Sequence, residues 1–408
     1  MRILLFCYDF PPNQGIGGRR WAKFAKGLAQ EGHQVHVILA SERTGNTPSP
    51  WSDDVSLPDI KLHYLQRKFP EVIDVGPTNV WQKLTYRIEL LKLKMTVKGT
   101  IYDQACQLEK SILRLANKLV EEESIEAVIA TGAPFSMLYY GALTKRTHPH
   151  LKFLADYRDP WLTARNLGMP SLSVSRKKEE MRKQAIVFAQ ADVVTSPYVS
   201  LNATMQKEAH STPRFEVLPH FFDPDDVPDP TQNSGRTDKI HLVYGGALYL
   251  ELDPYLEWFA RCLHHLRDEA PALYDRLEVD FYTADSQFKR FFSGLENKVR
   301  FHAPIGKNFF KVAQNATAAL VFLTESKKDH LTTKFFELLP LRKPLFYFGP
   351  DGFASSQIQA QSLGHLNTST EAFTKNIQQL TENNVVELPW PEEHTLQFRT
   401  KQLSRYLH

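Results

Sequence analysis

Short apolar runs recur along the chain, at Arg2–Cys7, Val35–Leu39, Ala127–Ala130, Phe153–Ala155, Val193–Val194 and Phe215–Leu218, and again at Ile240–Tyr244, Glu278–Tyr282, Val299–His302, Ala318–Leu323 and Leu345–Phe348. Most lack a clear polar alternation, the pattern of strands covered on both faces in a parallel sheet. Between them the apolar positions change to helical spacing. Trp21, Phe24, Ala25 and Leu28 share one side of a helix ended by Gly32, a long helix carries Trp258 and Leu263, and a last one spans Gln397–Leu407. Each series opens with glycines after its first strand, Gly17-Gly18 in one and Gly245-Gly246 in the other. The pattern predicts an α/β fold of two doubly wound, Rossmann-like domains facing one another across a cleft. Pro224–Thr237, rich in Pro, Asp, Asn and Ser, reads as the linker, so the expected division is 1–223, 224–237 and 238–389. Asp223-Pro224-Asp225 is taken as part of that solvated linker rather than as a metal-binding carboxylate pair.

Length supports the division, because 408 residues exceed one ordinary core and suit two domains of about 200 each. No apolar run approaches the roughly 18 residues of a membrane span, and Ile3–Tyr8 is too short for a signal peptide. Cys7, Cys106 and Cys262 are odd in number and lack metal or redox spacing, which fits a reducing cytosol. A formal charge of +3 without a recognition motif argues against nucleic acid as a partner.

The richest candidate chemistry lies between the runs at Ala318–Leu323 and Leu345–Phe348. Thr332 or Thr333 can cap a helix that carries Phe335, Leu338 and Leu339 inward and is closed by Pro340 and Pro344. Lys334 and Glu337 then share its first turn. A cation at that end opposes the helix dipole but suits a bound phosphate, and the carboxylate can accept from a sugar diol. The competing reading is an i,i+3 ion pair in solvent. Gly17-Gly18 offers backbone amides to an anion at a helix start, although Arg20 stands where a dinucleotide fingerprint wants a third glycine. Asp156-Tyr-Arg-Asp-Pro-Trp161 places two carboxylates around an arginine just past a parallel strand, where ligands bind in such sheets. A self-satisfied network that merely fixes the loop is the equal alternative. His33 and His36 lie on the second strand and read as structural.

Together these pieces resemble the GT-B glycosyltransferases of the large retaining family four group, over nearly the whole chain. The resemblance rests on Phe10-Pro-Pro with Gly17-Gly18, Gly32-His-Gln-Val-His-Val37, Asp156–Trp161, Ala191-Asp-Val-Val194, Val217-Leu-Pro219, Val243-Tyr-Gly-Gly246, Arg300-Phe-His and Lys334-Phe-Phe-Glu337 before Lys343-Pro344. It implies a nucleotide-sugar donor in the C-terminal domain, an acceptor in the N-terminal domain, and a terminal helix, about 390–408, returning to the first domain. By it Glu337 matches the ribose-binding glutamate, and Gly17, Gly18, Gly246 and Lys334 the surroundings of the donor diphosphate. Lys334, Asp329 and Asp159 are the catalytic candidates, and no metal or cofactor is implied. Two departures stand out: Asp329 replaces the family's earlier glutamate, and Leu248–Leu256 lacks the usual arginine and lysine. The implied activity is hexosyl transfer to a glycan or lipid-linked acceptor in envelope or surface polysaccharide synthesis, in the cytoplasm. A nucleotide-sugar epimerase of the same fold and a non-catalytic nucleotide-sugar binding protein are the alternatives.

Lys61–Lys98 reads as a basic, aromatic-rich insertion with an excess of five positive charges. Leu90, Leu91, Leu93 and Met95 beside Trp81 and Tyr86 suggest either a helix lying on the inner face of an anionic membrane or one packed on the first sheet with its lysines in solvent.

Overall fold

The computed structural model describes residues 1–42, 49–210, 213–227, 238–382, 388 and 390–408. The chain forms two compact units, Met1–Pro219 with Leu396–His408, and His220–Thr395. Most of the expected linker, 228–237, lies outside the described residues.

In the first unit, β1 (Arg2–Phe6), β2 (Gln34–Ala40), β3 (Ile60–Leu65), β4 (Ala127–Gly132), β5 (Lys152–Tyr157), β6 (Val193–Ser196) and β7 (Arg214–Val217) form one parallel sheet in the order β3-β2-β1-β4-β5-β6-β7. The central β4 is buried along its whole length, which explains its unbroken apolar run. The helix Ile16–Gln30 follows β1 and ends at Gly32, whose φ of 83° lets the His33 amide turn back to the Leu28 carbonyl at 3.0 Å. The closing helix Leu396–Leu407 buries Leu396, Thr400, Leu403 and Leu407 in this unit. Its Ser404 hydroxyl donates to Glu31 at 2.6 Å, and its Gln402 amide to the Val217 carbonyl at 3.0 Å.

In the second unit, β8 (Ile240–Gly245), β9 (Leu277–Tyr282), β10 (Val299–His302), β11 (Ala318–Phe322), β12 (Leu345–Phe348) and β13 (Gly364–Leu366) form a parallel sheet in the order β10-β9-β8-β11-β12-β13. Phe259 anchors the helix Asp253–Glu269 on it, with ring centroids 5.0 Å from Phe348 and 5.8 Å from Phe322, and lies 6.0 Å from Phe373 of the neighbouring helix Thr370–Glu382.

Two expectations need correction. The supposed insertion at Lys61 begins inside β3, which pairs with β2 from Val35 opposite Ile60 to Ala40 opposite Leu65. An edge strand is only half covered, so Lys61 and His63 interrupt its apolar run without breaking its ladder. Asp223 is buried rather than solvated, and its side chain accepts from the Asp225 amide at 3.0 Å to cap the short turn Pro224–Asp226.

Candidate functional site

In both sheets the connections leave in opposite directions from the central pair, β1 and β4 in one and β8 and β11 in the other. The carboxyl ends of such a pair form the crevice where open α/β sheets bind ligands. The candidate residues lie at these two edges.

At the edge of the first unit, Gly18 sits where any Cβ would strike the Asp9 carbonyl, so its glycine is required by the close approach of the helix start to the loop after β1. A Cβ on Gly17 would meet the Arg158 guanidinium. Arg158 is held in that place by donating from Nε to the Gly132 carbonyl at 2.8 Å and from Nη2 to the Ala133 carbonyl. A fixed cation therefore borders the first turn of the helix Ile16–Gln30. Nothing in the sequence Asp156–Trp161 singles out this arginine, because the contact joins residues far apart in the chain.

The carboxylates flanking Arg158 differ. Asp156 is fully buried and its oxygens are occupied by Trp21 Nε1 at 2.8 Å, Thr195 Oγ1 at 2.9 Å, Thr131 Oγ1 at 3.1 Å and the Arg20 guanidinium at 3.6 Å. Arg20 in turn donates to the Leu218 and Pro219 carbonyls at 2.7 and 3.1 Å. Asp156 is thus the hub of a structural network joining β4, β5, β6 and the first helix. Asp159 is exposed; burial first, then the charge of Asp159, pushes the Tyr198 hydroxyl up to about 12. Burial also pushes the Cys7 thiol up to about 12, so this cysteine at the end of β1 is no thiolate nucleophile.

At the edge of the second unit, the loop after β8 is pinned from three sides. The Gly246 amide donates to the Tyr282 carbonyl at 3.0 Å, the Tyr244 hydroxyl to the Ala247 carbonyl at 2.7 Å, and the Leu248 amide to Asp285 at 2.8 Å. Gly246 adopts φ 139° and its missing side chain leaves the space that the Lys334 ammonium occupies. That ammonium donates to the Gly245 carbonyl and lies 5.8 Å from the centroid of the Tyr244 ring. The structure thus brings Gly246 and Lys334 together. Lys334 projects from the helix Thr333–Leu338, whose cap Thr332 makes no side-chain cap hydrogen bond. Glu337, on the next turn, is half-buried, whereas Asp329 is exposed in the preceding loop. Leu248–Leu256 lacks basic residues, but Arg290 reaches Asp253 at the start of the next helix at 2.7 Å.

Two parallel sheets of this topology, each with its candidate residues at the carboxyl edge, define a two-domain Rossmann-like protein of the GT-B fold. No family model matches the chain, and no curated protein matches it in sequence. Solved structures match it in fold. An E. coli structure described as trehalose-6-phosphate bound with UDP-2-fluoro glucose is 10% identical, with TM-score 0.61 over 100% of this chain and 99% of that one. Anabaena Alr3699/HepE in complex with UDP and glucose is 11% identical, with TM-score 0.60 over 100% and 99%. A Listeria monocytogenes protein assigned as a UDP-N-acetylglucosamine 2-epimerase is 12% identical, with TM-score 0.56 over 99% and 94%. At these identities the likeness establishes the fold.

Proposed function

We propose that the chain is a glycosyltransferase that takes a sugar from a uridine diphosphate sugar, with retention, and moves it to a glycan or lipid-linked acceptor of an envelope or surface polysaccharide. On this reading it works in the cytoplasm, at the inner face of a membrane, and the first unit receives the acceptor. The observation that carries the reading is the Lys334 ammonium seated in the gap left by Gly246, with half-buried Glu337 on the next turn, at the crevice of the second sheet. UDP or a UDP-sugar bound in structures of the same fold supports it.

Departure of a nucleoside diphosphate leaves an oxocarbenium-like sugar and a leaving group of growing negative charge. On this reading Lys334 meets that charge, and positive groups fixed in advance lower the barrier because they need not reorganise. Glu337 is assigned to the ribose diol. Arg158 beside Gly17 is a second fixed cation suited to phosphate, and Gly18 holds the helix start against the loop after β1. Asp329 and Asp159 remain candidates for handling sugar or acceptor hydroxyls, since both are exposed to incoming ligands.

The epimerase reading is kept because one of the similar structures carries that assignment. Incubation with a panel of UDP-sugars, with and without glycan and lipid-linked acceptors, tests both. Acceptor-dependent release of UDP supports transfer, conversion of the donor alone supports epimerisation, and binding without either change supports a non-catalytic role.

A further inference from the structure

The helix Val80–Thr96 is covered on one side only. Leu93, Val97 and Ile101 are buried together, with Phe69, Ile73 and Leu90 packed against them. Val80, Trp81, Leu84, Ile88, Leu91 and Met95 are exposed, with Trp81 79% and Met95 71% accessible. At about 100° per residue, these six positions fall within a single arc of about 100° on the side away from Leu93. The same geometry places Lys83, Arg87 and Lys94 along one border of the arc and Lys92 along the other, all of them exposed. Solvated helices of globular proteins do not present such an apolar stripe to water without a use for it.

The stripe is held rigidly. Asn79 caps the helix by accepting from the Gln82 amide at 2.9 Å. At the other end the Arg176 guanidinium donates to the Lys94, Val97 and Gly99 carbonyls at 2.6 to 2.8 Å. That clasp brings the start of the helix Val174–Gln190, with exposed Lys177, Lys178 and Val174, to the same end. Several cations of this stretch have partners: Lys92 pairs with Glu89 on its own helix at 2.6 Å, Arg67 donates to the Ser41 carbonyl and Asn13 and pairs with Asp9, and Lys61 pairs with Glu123.

We propose that this face of Val80–Thr96 is a membrane-docking surface for an anionic bilayer, with Trp81, Leu84, Ile88, Leu91 and Met95 entering the interface and Lys83, Arg87, Lys92 and Lys94 meeting lipid phosphates. A narrow apolar arc bordered by cations matches the boundary between acyl chains and anionic headgroups. A second copy of this chain would set the same cations against each other. The inference deepens the reading of a membrane-held acceptor and rests on it for its purpose, but docking is measured without donor or acceptor, so the two fail separately.

The test is co-sedimentation of the full chain with vesicles of equimolar phosphatidylglycerol and phosphatidylcholine, against pure phosphatidylcholine. Salt-sensitive binding to the anionic vesicles alone is expected. The triple variant Lys83→Glu, Arg87→Glu, Lys94→Glu should lower the partition coefficient by at least about two orders of magnitude, because each lost surface cation accounts for about fivefold and each new carboxylate is repelled by the anionic lipid. Trp81→Ser with Leu91→Ser should lower it by about tenfold or more. Both sets change exposed positions, so an unaltered urea midpoint confirms that the variants are folded. No binding at low salt, equal binding to both vesicle types, or a solution dimer dissolved by the serine variants with no vesicle binding overturns the proposal.

Discussion

Replacing Asp156 with asparagine removes one charge and almost no volume, and its consequence follows from the four groups around it. With its oxygen kept toward Trp21 and Thr131, the new amide nitrogen faces Thr195 and the Arg20 guanidinium. The Thr195 hydroxyl can turn and accept. Arg20 cannot. Burial already pushes its pKa down, Asp156 is its largest compensating influence, and the substitution sets a donor against it. Breaking a buried ion pair from one side costs about 3 to 5 kcal/mol. The separation of 3.6 Å, longer than a hydrogen bond, and the two carbonyls that Arg20 retains place Asp156→Asn near the lower end, about 3 kcal/mol. In a unit of about 230 residues that lowers the melting temperature by about 6 to 12 °C. Differential scanning calorimetry should show the transition of the first unit moving down by this amount while UDP-sugar affinity stays unchanged. A variant as stable as the parent but without turnover would refute the reasoning, because Asp156 would then act on substrate rather than on the fold.

Gly246→Ala should weaken UDP-sugar binding by about tenfold in calorimetric titration, since the new methyl evicts the Lys334 ammonium; Gly294→Ala, at positive φ with open space around it, is the control for backbone strain alone. Glu337→Ala should cost about 2 kcal/mol of donor affinity, seen as a raised Kd, and Lys334→Ala should lower kcat more than it raises KM, because the charge it meets grows in the transition state. A change confined to KM would count against that role. His36 is completely buried, and burial lowers its pKa from the ordinary 6.5 to about 4. The unfolded chain therefore takes up a proton that the folded chain refuses, so this contribution is complete above pH 6.5 and declines by about 1.4 kcal/mol per unit as the pH falls toward 4. The urea midpoint should fall between pH 7 and 5, and less steeply in His36→Gln; equal slopes would remove His36 from the account.

What was legible in the sequence tracks how completely each element is covered. β4, β11 and β12 are buried throughout and read directly as apolar runs, whereas β3 hid behind Lys61 and His63 on a half-covered edge. The three-residue β13, with no fully buried position, left no run to read. The loop Asp156–Trp161 showed that a charged cluster followed β5 but not how its charges were spent, since the partners Trp21, Thr131 and Thr195 come from three other parts of the chain. The glycines showed that something approaches them closely, and only the structure shows that the neighbours are Arg158 at Gly17 and Lys334 at Gly246. The leucines of Val80–Thr96 supported both packing and exposure because they serve both, Leu90 and Leu93 inward and Leu84 and Leu91 outward.

The first unit is made from two segments that flank the second in the chain, and this orders its synthesis. Leu396, Leu403 and Leu407 are part of its interior, and Thr400 fills the space left by Gly27 in the helix Ile16–Gln30. During synthesis, which runs from the amino end and normally lets leading domains fold first, strands β1 to β7 emerge long before the helix that seals them. The second unit, His220–Thr395, is contiguous, and all of it is made while the first still lacks its cover. A stop codon at Leu396 itself would thus damage the unit whose strands are made earlier, leaving an apolar flank of the helix Ile16–Gln30 open to chaperones and proteases while every residue of the second unit was still present.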